Sequence, residues 1–328
     1  MSAPSETNRE RGPVVVLGGL GFMGSHISRA LVGRGRRVRI FDRLYASHAL
    51  VADLEPQVEI VEGDINRSSD VIEAVHDAGT VVHLVHTTVP GSSMADPAFD
   101  ITSNVAASAA WLARLQETSV RRILYFSSGG TVYGVPRASL IDEGHPTDPI
   151  SSYGITKLAV EKYVAMYGAL FGVEHRILRP SNVYGEGQRL HIGQGVIGIL
   201  ADRALRGEPL EIWGTGESLR DYLHVEDLVS ATLALVDYDG PEHVFNVSSG
   251  KGHSVLDIVR VVGQQLGFEP ETVYRPARGF DVPVNVLDPA RLHAATGWRA
   301  AVPLEEGVAR TIEWVKRLHN HEAAGDVI

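Results

Sequence analysis

Short apolar runs alternate with longer stretches in which apolar residues recur every three or four positions. Pro13–Gly18, Val38–Asp42, Val58–Val61, Thr80–Val85, Arg122–Ser127 and Glu174–Arg179 read as strands, four of them rich in Val and Ile. Helical spacing fills the gaps over Gly24–Arg34, Ser68–Ala78, Asp96–Thr118 and Ser152–Phe171. Continuous apolar strands separated by helices predict a parallel sheet covered on both faces. Right-handed crossovers turn that pattern into an α/β, doubly wound (Rossmann) fold. After about residue 182 the loops lengthen, and strands shorten to Leu210–Trp213 and Val244–Val247. Helices are expected over Ser254–Leu266 and Leu304–Leu318, with another near Val225–Leu235. The pattern predicts a dinucleotide-binding domain over 12–182, with a return segment at about 219–247. A smaller, interleaved α+β substrate lobe takes 183–218 and 248–318, and polar tails take 1–11 and 319–328. His319 and His321 fall in the last of these and read as solvated.

The turn after the first strand changes this from a fold to a chemistry. Gly18, Gly21 and Gly24 fit G-x-x-G-x-x-G, and Gly19, Gly21 and Gly24 fit G-x-G-x-x-G. Side chains in such a turn block the approach of a pyrophosphate, and the following helix offers N–H groups to it. Phe22 and Met23 lie inside the loop. Asp42 ends the second strand, where a carboxylate suits a ribose diol and repels a 2′-phosphate, so NAD is favoured over NADP. Arg43, next in the chain, tempers that preference. Farther on, Tyr153 and Lys157 stand at i and i+4, on one helix face. A phenol with a pKa of about 10 is a poor base at neutral pH. A neighbouring ammonium favours the phenolate, so Tyr153 is expected to serve as base and Lys157 to lower its pKa.

Composition trims the alternatives. The chain has 328 residues and no Cys, which removes disulfides, thiolate metal sites and a thiol nucleophile, and no metal site is expected. Gly accounts for 34 residues, about 10% against a usual ~7%, in keeping with tight turns. The formal charge is −10, unsuited to tracking a nucleic-acid backbone. No apolar run is long enough to span a bilayer and no leader is evident, so a cytoplasmic location is expected.

Together the motifs resemble the extended short-chain dehydrogenases/reductases, in particular the nucleotide-sugar epimerase/dehydratase branch typified by UDP-glucose 4-epimerase. The residues carrying the likeness are GGLGFMGSH (18–26), Asp42, GDI (63–65), HL (83–84), Asn104, SSGGTVYG (127–134), YGITK (153–157), RPSNVYG (179–185), RDYLHVEDL (220–228) and RGFD (278–281). The resemblance spans about residues 13–318 and is far more specific for the branch than for the sugar. It implies that Asp64 and Ile65 meet the adenine, that Leu84 to His86 line the cofactor and that Lys157 holds the nicotinamide ribose. Asn182, Arg220 and Arg278 would take the diphosphate of a nucleotide sugar, with Val196 on the same side. Trp213 either stacks on the base or fills the lobe core. Arg189 and His191 either face a C6 carboxylate or lie in solvent. A homodimer joined through helices 96–118 and 152–171 is also implied.

Two departures matter. The family's bridging Ser or Thr hydroxyl falls at Gly129 here. Thr131 would share that position's side if the backbone stays extended, Ser128 is another candidate, and water a third. Gly129-Gly130 is alternatively room for a bulky substrate group. The 4,6-dehydratases of the branch carry an Asp-Glu pair where this chain has Gly130-Thr131, which argues against dehydration. His86 replaces a small residue and either touches substrate or fills space. The implied activity is NAD-dependent C4 epimerisation of a UDP-sugar through a 4-keto intermediate. A 4-ketosugar reductase and a cofactor-sensing binding protein are the rivals.

Overall fold

The computed structural model describes residues 12–190, 195–277 and 282–324. Its first half runs β1 (Val14–Leu17), α1 (Phe22–Gly33), β2 (Val38–Asp42), β3 (Glu59–Glu62), α2 (Ser68–Val75), β4 (Thr80–His83), α3 (Pro90–Ala95), α4 (Pro97–Asp100), α5 (Ala107–Leu112), β5 (Arg122–Phe126), α6 (Ser152–Phe171) and β6 (Glu174–Pro180). Then follow β7 (Asn182–Tyr184), α7 (Val196–Leu205), β8 (Leu210–Trp213), β9 (Leu219–His224), α8 (Val225–Val236), β10 (Val244–Val247), β11 (Gly252–Ser254), α9 (Val255–Leu266), β12 (Thr272–Arg275), β13 (Val284–Asn285), α10 (Ala290–Thr296) and α11 (Leu304–Ala324).

Seven parallel strands form one sheet in the order β10-β6-β5-β4-β1-β2-β3. This is the doubly wound arrangement that the alternating runs predict. Strand alternation splits the core in two. Val14 and Val16 face Ile27 and Leu31 of α1 and Leu228 and Leu235 of α8. Val15 and Leu17 join Val71 and Val75 of α2, Trp111 of α5 and Val160 and Val164 of α6 on the other side. Burying each such side chain is worth roughly 1.5–3 kcal/mol, and the polar residues the strands do bury, Arg39, Arg176 and Asn246, are hydrogen-bonded. β9 pairs with β7, β11 and β13, and β8 pairs with β12. A third core joins Ile197 and Leu200 of α7, Ile258 and Val262 of α9, and Val308 and Ile312 of α11.

Three expectations are corrected. Asp96–Thr118 is not one helix: between α4 and α5 residues Ile101–Ala106 form a π-helical turn. Thr102 and Ser103 hydroxyls and the Asn104 amide bond back to carbonyls of Ala98, Phe99 and Asp100, loosening the helical ladder. Helix α3 was not foreseen. Residues 319–324 are not a frayed tail either, for α11 continues to Ala324 and His319 Nε2 lies 2.6 Å from Asp202 Oδ1 on α7. No group of metal-ligating side chains occurs among the described residues, and none of their helices is long and apolar enough to cross a membrane.

Candidate active site

Most segments flagged by their chemistry leave the large sheet at its carboxyl edge. The glycine loop follows β1, Asp42 ends β2, Asp64 and Ile65 follow β3, Leu84 to His86 follow β4, Ser128 to Thr131 follow β5, and Asn182 follows β6. β1 has β2 on one side and β4 on the other, so the crevice of a doubly wound sheet opens between β1 and β4. Gly18 adopts a φ of +88°, and a Cβ on Gly24 would lie 2.2 Å from the Gly18 carbonyl oxygen. These two glycines close the turn. Gly21 is different: its Cβ would meet only the Gly18 oxygen, at 3.3 Å. It sits at the N-cap of α1 with no side chain to satisfy the N–H groups of Phe22, Met23 and Gly24. This open, donor-lined cradle fits a dinucleotide pyrophosphate.

Asp42 accepts from the Leu20 N–H at 3.0 Å and the Arg43 N–H at 2.9 Å, so the acid also braces the glycine loop. The Arg43 side chain is exposed. Asp64 accepts from the backbone and side-chain N–H groups of Asn66, both at 2.9 Å, and these hold its carboxyl below the usual range. Ile65 is buried in the core beside Phe41, and Leu84 is half-buried against Gly18.

Tyr153 occupies the first turn of α6, whose cap is Ser151 Oγ accepting from the Gly154 N–H at 3.2 Å. Its own N–H donates to Ser93 Oγ of α3. Lys157, 3% exposed, donates to the Phe126 carbonyl at 2.8 Å and stands 5.7 Å from the Tyr153 ring centre. The expected electrostatics are reversed. Burial, then the Asp100 carboxylate, push the Tyr153 phenol well above its ordinary value. Burial pulls Lys157 down to about 7, against the opposing charges of Glu161 and Asp100. Lys157 stands close enough to favour the phenolate, but burial, which disfavours the charged form of each group, opposes that effect.

The hydroxyl question also changes. Thr131 N and Val132 N both donate to the Ser128 carbonyl, so the backbone turns here and strand alternation does not apply. A Cβ at Gly129 would lie 2.3 Å from Leu287 Cδ1 and 3.0 Å from the Arg179 carbonyl oxygen. Gly129 therefore makes room for the protein's own packing rather than for a substrate group; Gly130 is the open position. Thr131 Oγ1 is buried with no hydrogen-bond partner among the described residues, and its carbonyl abuts Gly154, next to Tyr153.

On the substrate side Asn182 donates to the Asp221 carbonyl, and Arg220 is half-buried on β9. The neighbouring Asp221 carboxylate does not face solvent. It is fully buried, accepting from Ser181 Oγ, Ser249 N and Oγ, and Gly250 N. Val196 opens α7 and is half-buried. Trp213 is 43% exposed on β8, so it is not lobe core. Arg189 is exposed, and His191 and Arg278 lie outside the described residues.

Two buried networks escape sequence reasoning, since their members come from distant segments. Arg179 forks onto Glu161 at 2.9 and 2.6 Å and donates to Tyr133, whose hydroxyl donates to Asn246, locking α6 to the sheet. Asp100, wholly buried, accepts from Thr88, Asn104, Ser152 and Thr156.

Fold and site define a dinucleotide-binding α/β enzyme, with Tyr153 against His86 of the segment that follows β4. The chain belongs to the NAD dependent epimerase/dehydratase family, whose model matches residues 14–248. It is similar to a putative UDP-glucose 4-epimerase of Methanocaldococcus jannaschii, 33% identical over 92% of this chain and 98% of that one. It is also similar to the UDP-glucose 4-epimerase of Thermotoga maritima solved with UDP-glucose, 32% identical over 94% and 99% of the two chains with a TM-score of 0.87. MoeE5, solved with UDP-glucuronic acid and NAD, is 32% identical over 94% and 100%, with a TM-score of 0.82.

Proposed function

We propose that this protein interconverts the C4 epimers of a UDP-sugar, with NAD retained through the cycle. The observation that carries the reading is Tyr153 with Lys157 beneath it, at the mouth of the β1/β4 crevice, where Gly130-Thr131 offer no carboxylates for dehydration. The N–H groups of Phe22, Met23 and Gly24 would hold the pyrophosphate, Asp42 the adenosine ribose, and Lys157 the nicotinamide ribose. NAD supplies reversible hydride acceptance at the sugar carbon and a positive ring charge beside the phenol. Tyr153 takes the O4 proton and later restores it. Thr131, with its unpartnered hydroxyl, bridges O4 and the phenol. Asn182, Arg220 and Arg278 grip the diphosphate, so the nucleotide end stays fixed while the 4-keto sugar turns. Tight nucleotide contacts and loose sugar contacts belong together in such a reaction.

The test is product analysis by NMR after incubating protein and NAD with UDP-glucose, UDP-glucuronate and their N-acetyl counterparts. Inversion at C4 in any of them supports the reading. No inversion in all four, or stoichiometric consumption of added NADH, overturns it, the latter in favour of a reductase. The assembly we propose is a homodimer. Ile155, Met166 and Leu170 lie along one side of α6 and are 47–67% exposed, beside Ile101 at 49%. A monomeric sedimentation coefficient at micromolar concentration would remove this part.

A further inference from the structure

Two ionisable side chains beside Tyr153 take no part in the proton transfer above. Asp100 ends α4, immediately before the π-helical turn, and is 0% exposed. Burying a carboxylate is costly unless donors surround it. Here Thr88 Oγ1 donates at 2.5 Å, Asn104 Nδ2 at 2.9 Å, Ser152 Oγ at 2.7 Å and Thr156 Oγ1 at 3.2 Å. Ser152 and Thr156 flank Tyr153 on α6, so this carboxylate grips the turn that carries the phenol from both sides.

Its remaining neighbour is His86. The imidazole is 6% exposed, and its Nε2 stands 3.6 Å from Asp100 Oδ1, without a hydrogen-bond partner among the described residues. The ring meets the Tyr153 ring edge-on, with centres 4.5 Å apart and planes at 74°. That separation is at the close end of the range for aromatic pairs. Burial, then the Lys157 charge, pull His86 down to about 4 against the pull of Asp100, so the ring is neutral at neutral pH. A neutral imidazole beside a carboxylate is drawn to it through the nitrogen that carries the proton, which turns the plane of the ring toward Asp100. The Ser152 and Thr156 bonds hold the helix turn, whereas His86 meets the phenol ring itself.

We propose that His86, oriented by Asp100, is the positioning residue for the Tyr153 phenol, setting the plane in which its hydroxyl meets the sugar. This rests on the reading of Tyr153 as the acid–base group. It adds that the ring is clamped from the β4 side by a dyad belonging to two separate segments. A proton-transferring group misplaced by about an ångström loses rate of the order of a hundredfold, whereas substrate affinity depends on the diphosphate grip elsewhere. The signature is therefore a fall in kcat with little change in KM.

Two substitutions that keep the volume filled separate ring positioning from packing. His86→Leu lacks the flat edge and is expected to lower kcat about tenfold or more, with KM for the nucleotide sugar within about twofold. His86→Phe keeps the edge and is expected to recover most of that loss. Asp100→Asn is expected to lower kcat in the His86 enzyme and to have a much smaller effect in the His86→Phe enzyme, since residues acting as a unit are non-additive. Equal kcat for the Leu and Phe variants, or an equal Asp100→Asn cost in both backgrounds, overturns the proposal. A second measurement needs no turnover. In ring-labelled, ligand-free protein, with Tyr153→Phe identifying the signal, Tyr153 ring flips are expected to be slow and to accelerate in His86→Leu; unchanged flipping overturns the clamp. If the unsubstituted protein epimerises no sugar, the functional reading falls and this second measurement still decides the clamp.

Discussion

At the scale of single residues, the glycines and the tyrosine divide into those that serve the chain and those that serve the chemistry. Gly24 is demanded by the Gly18 carbonyl, and Gly129 by Leu287 and the end of β6. Gly129→Ser does not restore a bridging hydroxyl. It is expected to destabilise the fold by about 1–3 kcal/mol through overpacking, read as a lower urea midpoint, with no gain in turnover. A stable, more active Gly129→Ser enzyme would place the missing hydroxyl back at that position. Tyr153→Phe removes the only atom of that side chain that exchanges a proton. It is expected to cost 10²- to 10⁴-fold in kcat with an unchanged circular dichroism spectrum, and retained turnover would assign the base elsewhere. The residue types at both positions were legible in the sequence. Which way the phenol shifts was not, because burial and the charge of Asp100, a residue from another segment, set its direction.

At the scale of elements, α6 carries the chemistry and is anchored accordingly. Its start is set by the Ser151 cap and its end by Gly172, which adopts a φ of +68°; both signals stand in the sequence, and the helix spans the expected residues. Its attachment does not show in the sequence. Glu161, one turn beyond Lys157, is 2% exposed and holds Arg179 of β6 through two bonds. Glu161→Ala leaves a buried guanidinium uncompensated. The expected cost is about 3–5 kcal/mol, measured by chemical denaturation, with loss of turnover following only where folding is lost. A midpoint unchanged from the unsubstituted protein would show that α6 is held by its apolar face alone. The break in the long helix after Asp100 was likewise hidden, since it depends on side chains bonding back to carbonyls rather than on apolar spacing. Asp100 just before that break and Asn104 within it bond to each other, and Asp100, through Thr88 and Ser152, to the flanking segments.

At the scale of the whole molecule, the imidazoles of His83, at the end of β4, and His86, just after it, tie stability to pH. Burial, then the Lys157 charge, lower His83 to about 3 and His86 to about 4, against about 6.5 in an unfolded chain. Between those values the unfolded state binds more protons, so acid favours unfolding. Their contribution is fully present above about pH 6.5 and is lost as pH falls toward 4 and then 3. Each ring adds a slope approaching ~1.4 kcal/mol per pH unit. Denaturation midpoints followed from pH 7 to 4 are expected to fall steadily from the upper end of that range. A flat profile down to pH 4.5 would mean that the rings are open to water.

The order of apolar runs determined the doubly wound sheet, since strands buried on both faces and joined by helices have few other ways to pack. Local chemistry determined the glycine cradle and the Tyr–Lys pair, because each lies within a few residues of itself and depends on spacing alone. The family followed from those motifs. Only the tertiary structure decided what surrounds them: that Lys157 bonds to β5, that Gly129 yields to Leu287, and that Asp100 and His86 close around Tyr153. Those contacts join segments far apart in the chain, and their energies come from burial and enclosed charge, neither of which any short stretch of sequence contains.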